Sequence, residues 1–153
     1  MTVKRREEGQ ALVELALVLV TLCSLFVAAF DFGQTMSVYL VTVHATREAA
    51  RVASVAGTTT AAVQAAAQNA ASDTLPPSAV AVTCRAATFD ASAGTYALAG
   101  ACASPLVADA TFAVTVSTVV SPVLPFTGLF FGSSSLGPVP VNYTLMGVVA
   151  QNS

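Results

Sequence analysis

Tryptophan is absent from the 153 residues, histidine occurs once, and charged side chains make up only 9% of the chain. Soluble domains usually carry about 25% charged residues, so much of this chain is expected to lie against something other than water. The six Lys and Arg form no stripe and the formal net charge is −2, which removes the electrostatic footprint that nucleic acid requires. A metal centre needs several converging His, Cys or carboxylate ligands. His44 stands alone, and Cys23, Cys84 and Cys102 are dispersed. The same scarcity leaves no Ser-His-Asp arrangement, so no enzyme, no cofactor and no small-molecule substrate are expected. Proline does not occur before Pro76, which leaves a long N-terminal stretch free of helix breakers.

What the chain does have is apolar residues, 55% of the total, with Ala and Val prominent. Lys4, Arg5 and Arg6 cluster at the start, and no further basic residue appears until Arg47. Between them, Ala11–Phe30 contains Glu14 as its only charge. Some 20 residues at about 1.5 Å each span roughly 30 Å, the thickness of a bilayer core. The spacing predicts a membrane segment over residues 10–30. The basic flank predicts a cytoplasmic N-terminus and an extracytoplasmic remainder, which points to a single-pass protein in contact with the lipid bilayer.

Helical character continues past Phe30. The stretch "DFGQTMSVYLVTVHATREAARVASVAG" has Gly33 as its only weak point before Gly57. Val41, His44, Ala45, Glu48, Ala49 and Val52 recur at a spacing that turns a mostly small, apolar stripe towards a partner, and Glu48 and Arg51 can pair at i, i+3. One helix from about Ala11 to about Ala56 is expected, with residues 31–57 standing outside the membrane and Gly57 as its C-cap. "TTTAAVQAAAQNAASDTLPP" then predicts a short second helix, begun by threonine and stopped by Pro76 and Pro77.

Beyond the prolines the period becomes two. "SAVAVTCRA" puts Val80, Val82 and Cys84 on one face, "ATFAVTVSTVV" sets Phe112, Val114 and Val116 opposite Ala113, Thr115 and Ser117, and "VPVNYTLMGVV" aligns Val141, Tyr143 and Leu145. These are strands, with a weaker one around Thr95–Leu98. Helices first and strands afterwards imply an α+β extracytoplasmic domain over residues 58–153, with a small antiparallel sheet of three to four strands packed on helix. Cys84 and Cys102 fall in this exported portion, where a disulfide is expected; two buried free thiols are the alternative.

A glutamate inside a membrane segment costs about 2.5–3.5 kcal/mol at the helix centre and less near an end. Glu14 therefore either snorkels to the interface or has a partner. Gly9 directly precedes the apolar span, Glu14 is five residues further on, and basic residues precede both. This arrangement resembles the processing site of type IV prepilins. That resemblance implies a leader over residues 1–9, cleavage between Gly9 and Gln10 by a prepilin peptidase, and retention of the apolar span as an assembly helix. The α-ammonium so created on Gln10 can pair with Glu14 of the same or a neighbouring subunit, cancelling two charges that are costly in lipid.

"GQALVELALVL", "DFGQ" and "ATREAARVAS" together resemble the TadE-like proteins of tight-adherence, or Flp-type, pilus systems, specifically over residues 5–56 and more loosely in the strands. Val20 stands where those proteins often carry a proline, which implies a straighter helix, and Gln10 is not the aromatic residue common at the start of mature major pilins. The resemblance implies a pilin-like fold and a minor pilin or pseudopilin. Such a subunit is held in the bacterial plasma membrane, partnered by other pilins and pilus-assembly membrane proteins, and required to build or initiate a pilus that serves adhesion.

Several residues keep two readings. Asp31 is an interfacial cap or a second partner-pairing charge. Arg47, Glu48 and Arg51 form a solvated helix face or dock against the sheet or another subunit. "PFTGLFFG" packs under the sheet or forms a sticky tip. Asn142-Tyr143-Thr144 matches a glycosylation sequon but falls in a predicted strand. The rivals at the level of the whole chain are a secreted domain cut by conventional signal peptidase after Val27-Ala28-Ala29, and a single-pass envelope protein with no pilus role.

Overall fold

With no proline to interrupt it, the N-terminal third forms one helix, α1 (Val3–Ala53), of 51 residues. At 1.5 Å per residue such a helix is about 75 Å long. It belongs to a computed structural model that describes residues 3–120 and 139–150. After α1 come α2 (Thr60–Ala71), a 3-10 turn (Pro77–Ala79), and strands β1 (Val80–Asp90), β2 (Thr95–Ala101), β3 (Thr111–Val120) and β4 (Val139–Val148). The strands form a single antiparallel sheet of order β2-β1-β3-β4. This is the α+β layout expected, with the weak Thr95–Leu98 signal realised as a full strand. "PFTGLFFG" lies outside the described residues, as do the side chains of Lys4, Arg5 and Arg6.

The lower part of α1 touches almost nothing in its own chain. Leu12, Leu17 and Phe26 are each about two-thirds exposed. Among the described residues, α1 is the one helix long and apolar enough to cross a membrane, and its most apolar window has a mean hydropathy of 2.5. An apolar rod this bare needs lipid or protein around it.

The upper part of α1 is the spine of the domain. Thr42, Ala45, Thr46, Ala49, Ala50 and Ala53 are buried, against α2, β3 and β4. The expected stripe is thus rotated, since His44 is exposed and Glu48 only half-buried, while Thr42 and Thr46 take the inner positions. The physical reason is that both hydroxyls donate to carbonyls one turn back, Thr42 Oγ1 to Val38 O at 2.8 Å and Thr46 Oγ1 to Thr42 O at 2.7 Å. Once satisfied in this way, a threonine buries as a small apolar residue.

Opposite this helix face the sheet presents Phe112, Val114, Val116 and Thr118 from β3 and Val80 from β1, all buried. Val82, Cys84 and Leu145 pack at the margin. In α2, Val63, Ala67 and Ala71 recur every fourth residue and are buried, while Thr59 caps the helix by accepting from the Ala62 N–H at 3.3 Å. Gly147 lies over the Phe112 ring, where a Cβ would sit 2.7 Å from Cζ.

α1 ends at Ala53, three residues short of the expected Ala56. Beyond it the backbone is claimed by tertiary partners: Ala150 N–H donates to Ser54 O at 2.7 Å, Gly57 N–H to Leu106 O at 2.9 Å, and Leu106 N–H to Thr58 O at 2.8 Å. Gly57, at φ +83°, therefore turns the connecting segment rather than capping the helix directly.

Candidate functional site

Gly9, Gln10 and Glu14 all lie on α1 and are exposed. Gly9 is not demanded by packing, because a Cβ built there would meet nothing within 4 Å, and glycine inside a helix costs about 0.5–1 kcal/mol relative to alanine. Gln10 and Glu14 are one turn apart and share a side of the helix. Glu14 and Tyr39, whose ring meets Tyr143 of β4, are separated by about seven turns of 3.6 residues, so on a straight helix the carboxylate projects to the side on which β4 sits. Within the span, Thr21 Oγ1 donates to Leu17 O at 2.9 Å and Ser24 Oγ to Thr21 O at 2.7 Å. The hydroxyls of the segment are thereby satisfied within the helix, as a lipid environment requires.

Asp31 is half-buried, and its backbone carbonyl accepts from Thr35 Oγ1 at 2.9 Å. Further up, Arg47, Glu48 and Arg51 lie on the side of α1 away from the sheet. Arg51 Nε donates to both Glu48 carboxylate oxygens at 3.1 Å. That hydrogen bond holds the Glu48 carboxyl below its ordinary value and raises the Arg51 guanidinium. Of the two docking partners considered for this trio, the chain's own sheet is on the wrong side of the helix. The trio also stands more than thirty residues above Glu14, about 50 Å along the axis, so the candidate residues form two separate surfaces rather than one site.

Cys84 and Cys102 form a disulfide with Cα atoms 5.4 Å apart. It joins β1 to the residue following β2, beside the hydrogen bond from Cys102 N–H to Cys84 O at 3.1 Å. Cys23 is a free thiol exposed on the span.

The contacts that attach the rod to the domain were missed in the sequence. Thr42 and Thr118, both buried, have their hydroxyl oxygens 2.8 Å apart. One turn below, Tyr39 meets Tyr143 edge to face with ring centroids 6.4 Å apart. The available signal was Thr42 and Thr46 at i, i+4 on the alanine stripe, matched by an inward Thr118 on a strand of otherwise apolar inward residues.

Residues 9–51 match the family model of TadE-like proteins, the family that the N-terminal motifs resemble. The matched residues are the rod and its outward charged face, not the sheet. No curated protein and no solved structure matches the chain.

Proposed function

From the TadE-like character of residues 9–51, we propose that this chain is a minor pilin- or pseudopilin-like subunit that supports assembly or initiation of a tight-adherence pilus used in adhesion and biofilm formation. Residues 10–30 anchor it in the bacterial plasma membrane, residues 1–9 face the cytoplasm, and the sheet domain stands outside. A prepilin peptidase hydrolyses the Gly9–Gln10 peptide bond with one water, leaving a carboxylate on the leader and an ammonium on Gln10. Glu14 then compensates such an ammonium when the span packs beside those of other pilins and pilus-assembly membrane proteins. Arg47, Glu48 and Arg51 offer a second, outward contact for a neighbouring subunit. The reading assigns the chain no catalysis of its own.

One observation carries the proposal: a glycine that the fold does not need lies five residues before an acid in an otherwise apolar span, within the family-matched segment. The experiment has two parts. Sequencing the mature N-terminus should read Gln10, whereas Phe30 would indicate signal peptidase and an uncut start an ordinary anchor. Glu14→Gln should leave cleavage and membrane insertion intact, because an amide is cheaper to bury than a carboxylate, yet abolish piliation and copurification with pilin partners. Normal piliation by Glu14→Gln would reduce Glu14 to a snorkelling residue.

A further inference from the structure

The sheet has two edges, and their chemistry and direction are unusual together. β2 is seven residues long, "TYALAGA", and every one of them is exposed. β4, at the other edge, is "VPVNYTLMGV". Neither carries a charged side chain, and the only proline, Pro140, lies near one end of β4. Natural edge strands are normally blunted by lysine, inward charges, proline or bulges because their unpaired N–H and C=O groups template further strand pairing. β2 is bulged at Ala99–Gly100, where Ala99 O accepts from Arg85 Nε at 3.1 Å, and Thr95–Leu98 is the regular part of its edge. Among the described residues, no strand lies outside β2 or outside β4.

Direction follows from the contacts to α1. β4 begins beside the lower part of the domain, where Tyr143 meets Tyr39, and ends where Ala150 pairs in parallel with Val55 just past the top of α1. β4 therefore ascends with the helix. Because all three pairings in the sheet are antiparallel, β3 descends, β1 ascends and β2 descends. The two open edges run in opposite senses.

We infer that β2 of one copy pairs antiparallel with the upper part of β4 of a second copy, so that sheets of upright neighbouring subunits join edge to edge. The inference rests on the proposed anchoring of α1 in a membrane, which fixes every copy in the same orientation. Antiparallel β2-to-β2 pairing would turn one anchor away from the membrane. Parallel β2-to-β2 pairing keeps both upright but gives the slanted, slightly weaker ladder. β2-to-β4 pairing satisfies orientation and ladder geometry at once. It also keeps both α1 helices on one side of the joined sheet and leaves a fresh edge at each end, a heterologous contact that propagates. The side chains suit it. Tyr96, Met146 and Val148 line a hollow of about 300 Å³ on the sheet face away from α1, and Leu98 is on that face opposite Ala87, which lines the same hollow. Edge-to-edge joining sets Tyr96 and Leu98 of one copy beside Met146 and Val148 of the next. A ladder along Thr95–Leu98, the regular part of β2, is a small contact beside the roughly 1,000 Å² of a stable soluble complex. Confinement of the anchors to one membrane supplies the missing effective concentration.

The test uses the full-length chain with Cys23→Ala, in membranes, after the Cys84–Cys102 bridge has formed. Leu98→Cys is combined in turn with Thr144→Cys, Met146→Cys or Val148→Cys and treated with a short thiol-to-thiol crosslinker. At least one combination should give a ladder of dimers, trimers and larger species, while each single variant gives monomer. Adding Ala97→Lys, which places a charge on the β2 edge, should abolish the ladder and leave disulfide-bonded monomer. Dimers from Leu98→Cys alone, a ladder that survives Ala97→Lys, or monomer from every combination would overturn the edge pairing in a membrane-held chain. Recovery of the chain outside the membrane fraction would overturn the anchoring on which it rests.

Discussion

Replacing Thr42 or Thr118 tests how the rod is joined to the domain. The hydroxyl of Thr42 donates to Val38 O at 2.8 Å, so across the 2.8 Å contact the proton comes from Thr118. Among the described residues, the other acceptor near Thr118 is Val141 O at 3.5 Å, at the limit for a hydrogen bond. Thr118→Val keeps the shape, removes one hydrogen bond, and leaves Thr42 still donating, for a cost of about 1 kcal/mol. Thr42→Val strands the Thr118 hydroxyl at 1% exposure, and an orphaned buried donor costs about 1–3 kcal/mol. The double variant orphans nothing and should fall within about 1 kcal/mol of the parent, giving a coupling of about 1–4 kcal/mol between the two sites. Urea unfolding of the full chain in detergent, followed by tyrosine near-UV circular dichroism, reads all four proteins, because the Tyr39–Tyr143 pair reports the same joint. Thr42→Val costing under about 0.5 kcal/mol, or single costs that simply add in the double, would refute the assignment of donor and acceptor.

Gly147→Ala should destabilise the domain by about 1–3 kcal/mol through overpacking, because the new methyl would meet the Phe112 ring at 2.7 Å and Phe112 is 1% exposed; an unchanged urea midpoint would contradict it. Thiol labelling of unreduced, denatured chain should modify Cys23 alone, and Cys84→Ser with Cys102→Ser should lower stability by about 3 kcal/mol for a loop of this separation, 18 residues. Arg51 lowers the Glu48 carboxyl from its ordinary 4.5, so folding favours the ionised form. That contribution is complete above the unfolded value and fades as pH falls through the lower folded one. Glu48→Gln should therefore flatten stability in the acid range and leave neutral pH almost unchanged, and an unaltered acid profile would remove the pair from the account.

Much of the architecture was readable because periodicity and breakers agreed. The proline-free N-terminal stretch gave an unbroken α1, the second helix was legible although it ends at Ala71, ahead of Pro76-Pro77, and alternation around Val82, Val114 and Tyr143 named the inward faces of three strands. What could not be read was polar burial. Threonine hydroxyls that bond back to their own helix look hydrophilic in a sequence and behave as small apolar groups in a core, so the expected stripe of Val41, His44, Ala45, Glu48, Ala49 and Val52 takes in His44 and Glu48 and leaves out the buried Thr42 and Thr46. The helix end was misplaced for a related reason. Ser54 to Ala56 would suit a helix locally, but Ala150 and Leu106, about a hundred and about fifty residues away in the sequence, take the backbone groups of Ser54, Gly57 and Thr58. Of the candidate residues, Gly9 and Glu14 were visible as departures from an apolar pattern. Separating the trio near Arg47 from the sheet required knowing which way the helix turns.

An unbroken helix also makes residue count an angular quantity. Each residue of α1 advances the chain by about 1.5 Å and about 100°, and with α1 continuous from Val3 to Ala53 the azimuth of the sheet relative to Glu14 is set by the number of residues between Glu14 and Thr42. One residue inserted between Phe32 and Val38 would swing the whole domain by about 100° around the helix axis while hardly changing its height above the apolar span. Seven inserted residues would restore the bearing to within about 20° and raise the domain by about 10 Å. α1 thus behaves as a keyed shaft, and its length between the apolar span and the sheet is constrained in phase far more tightly than in distance.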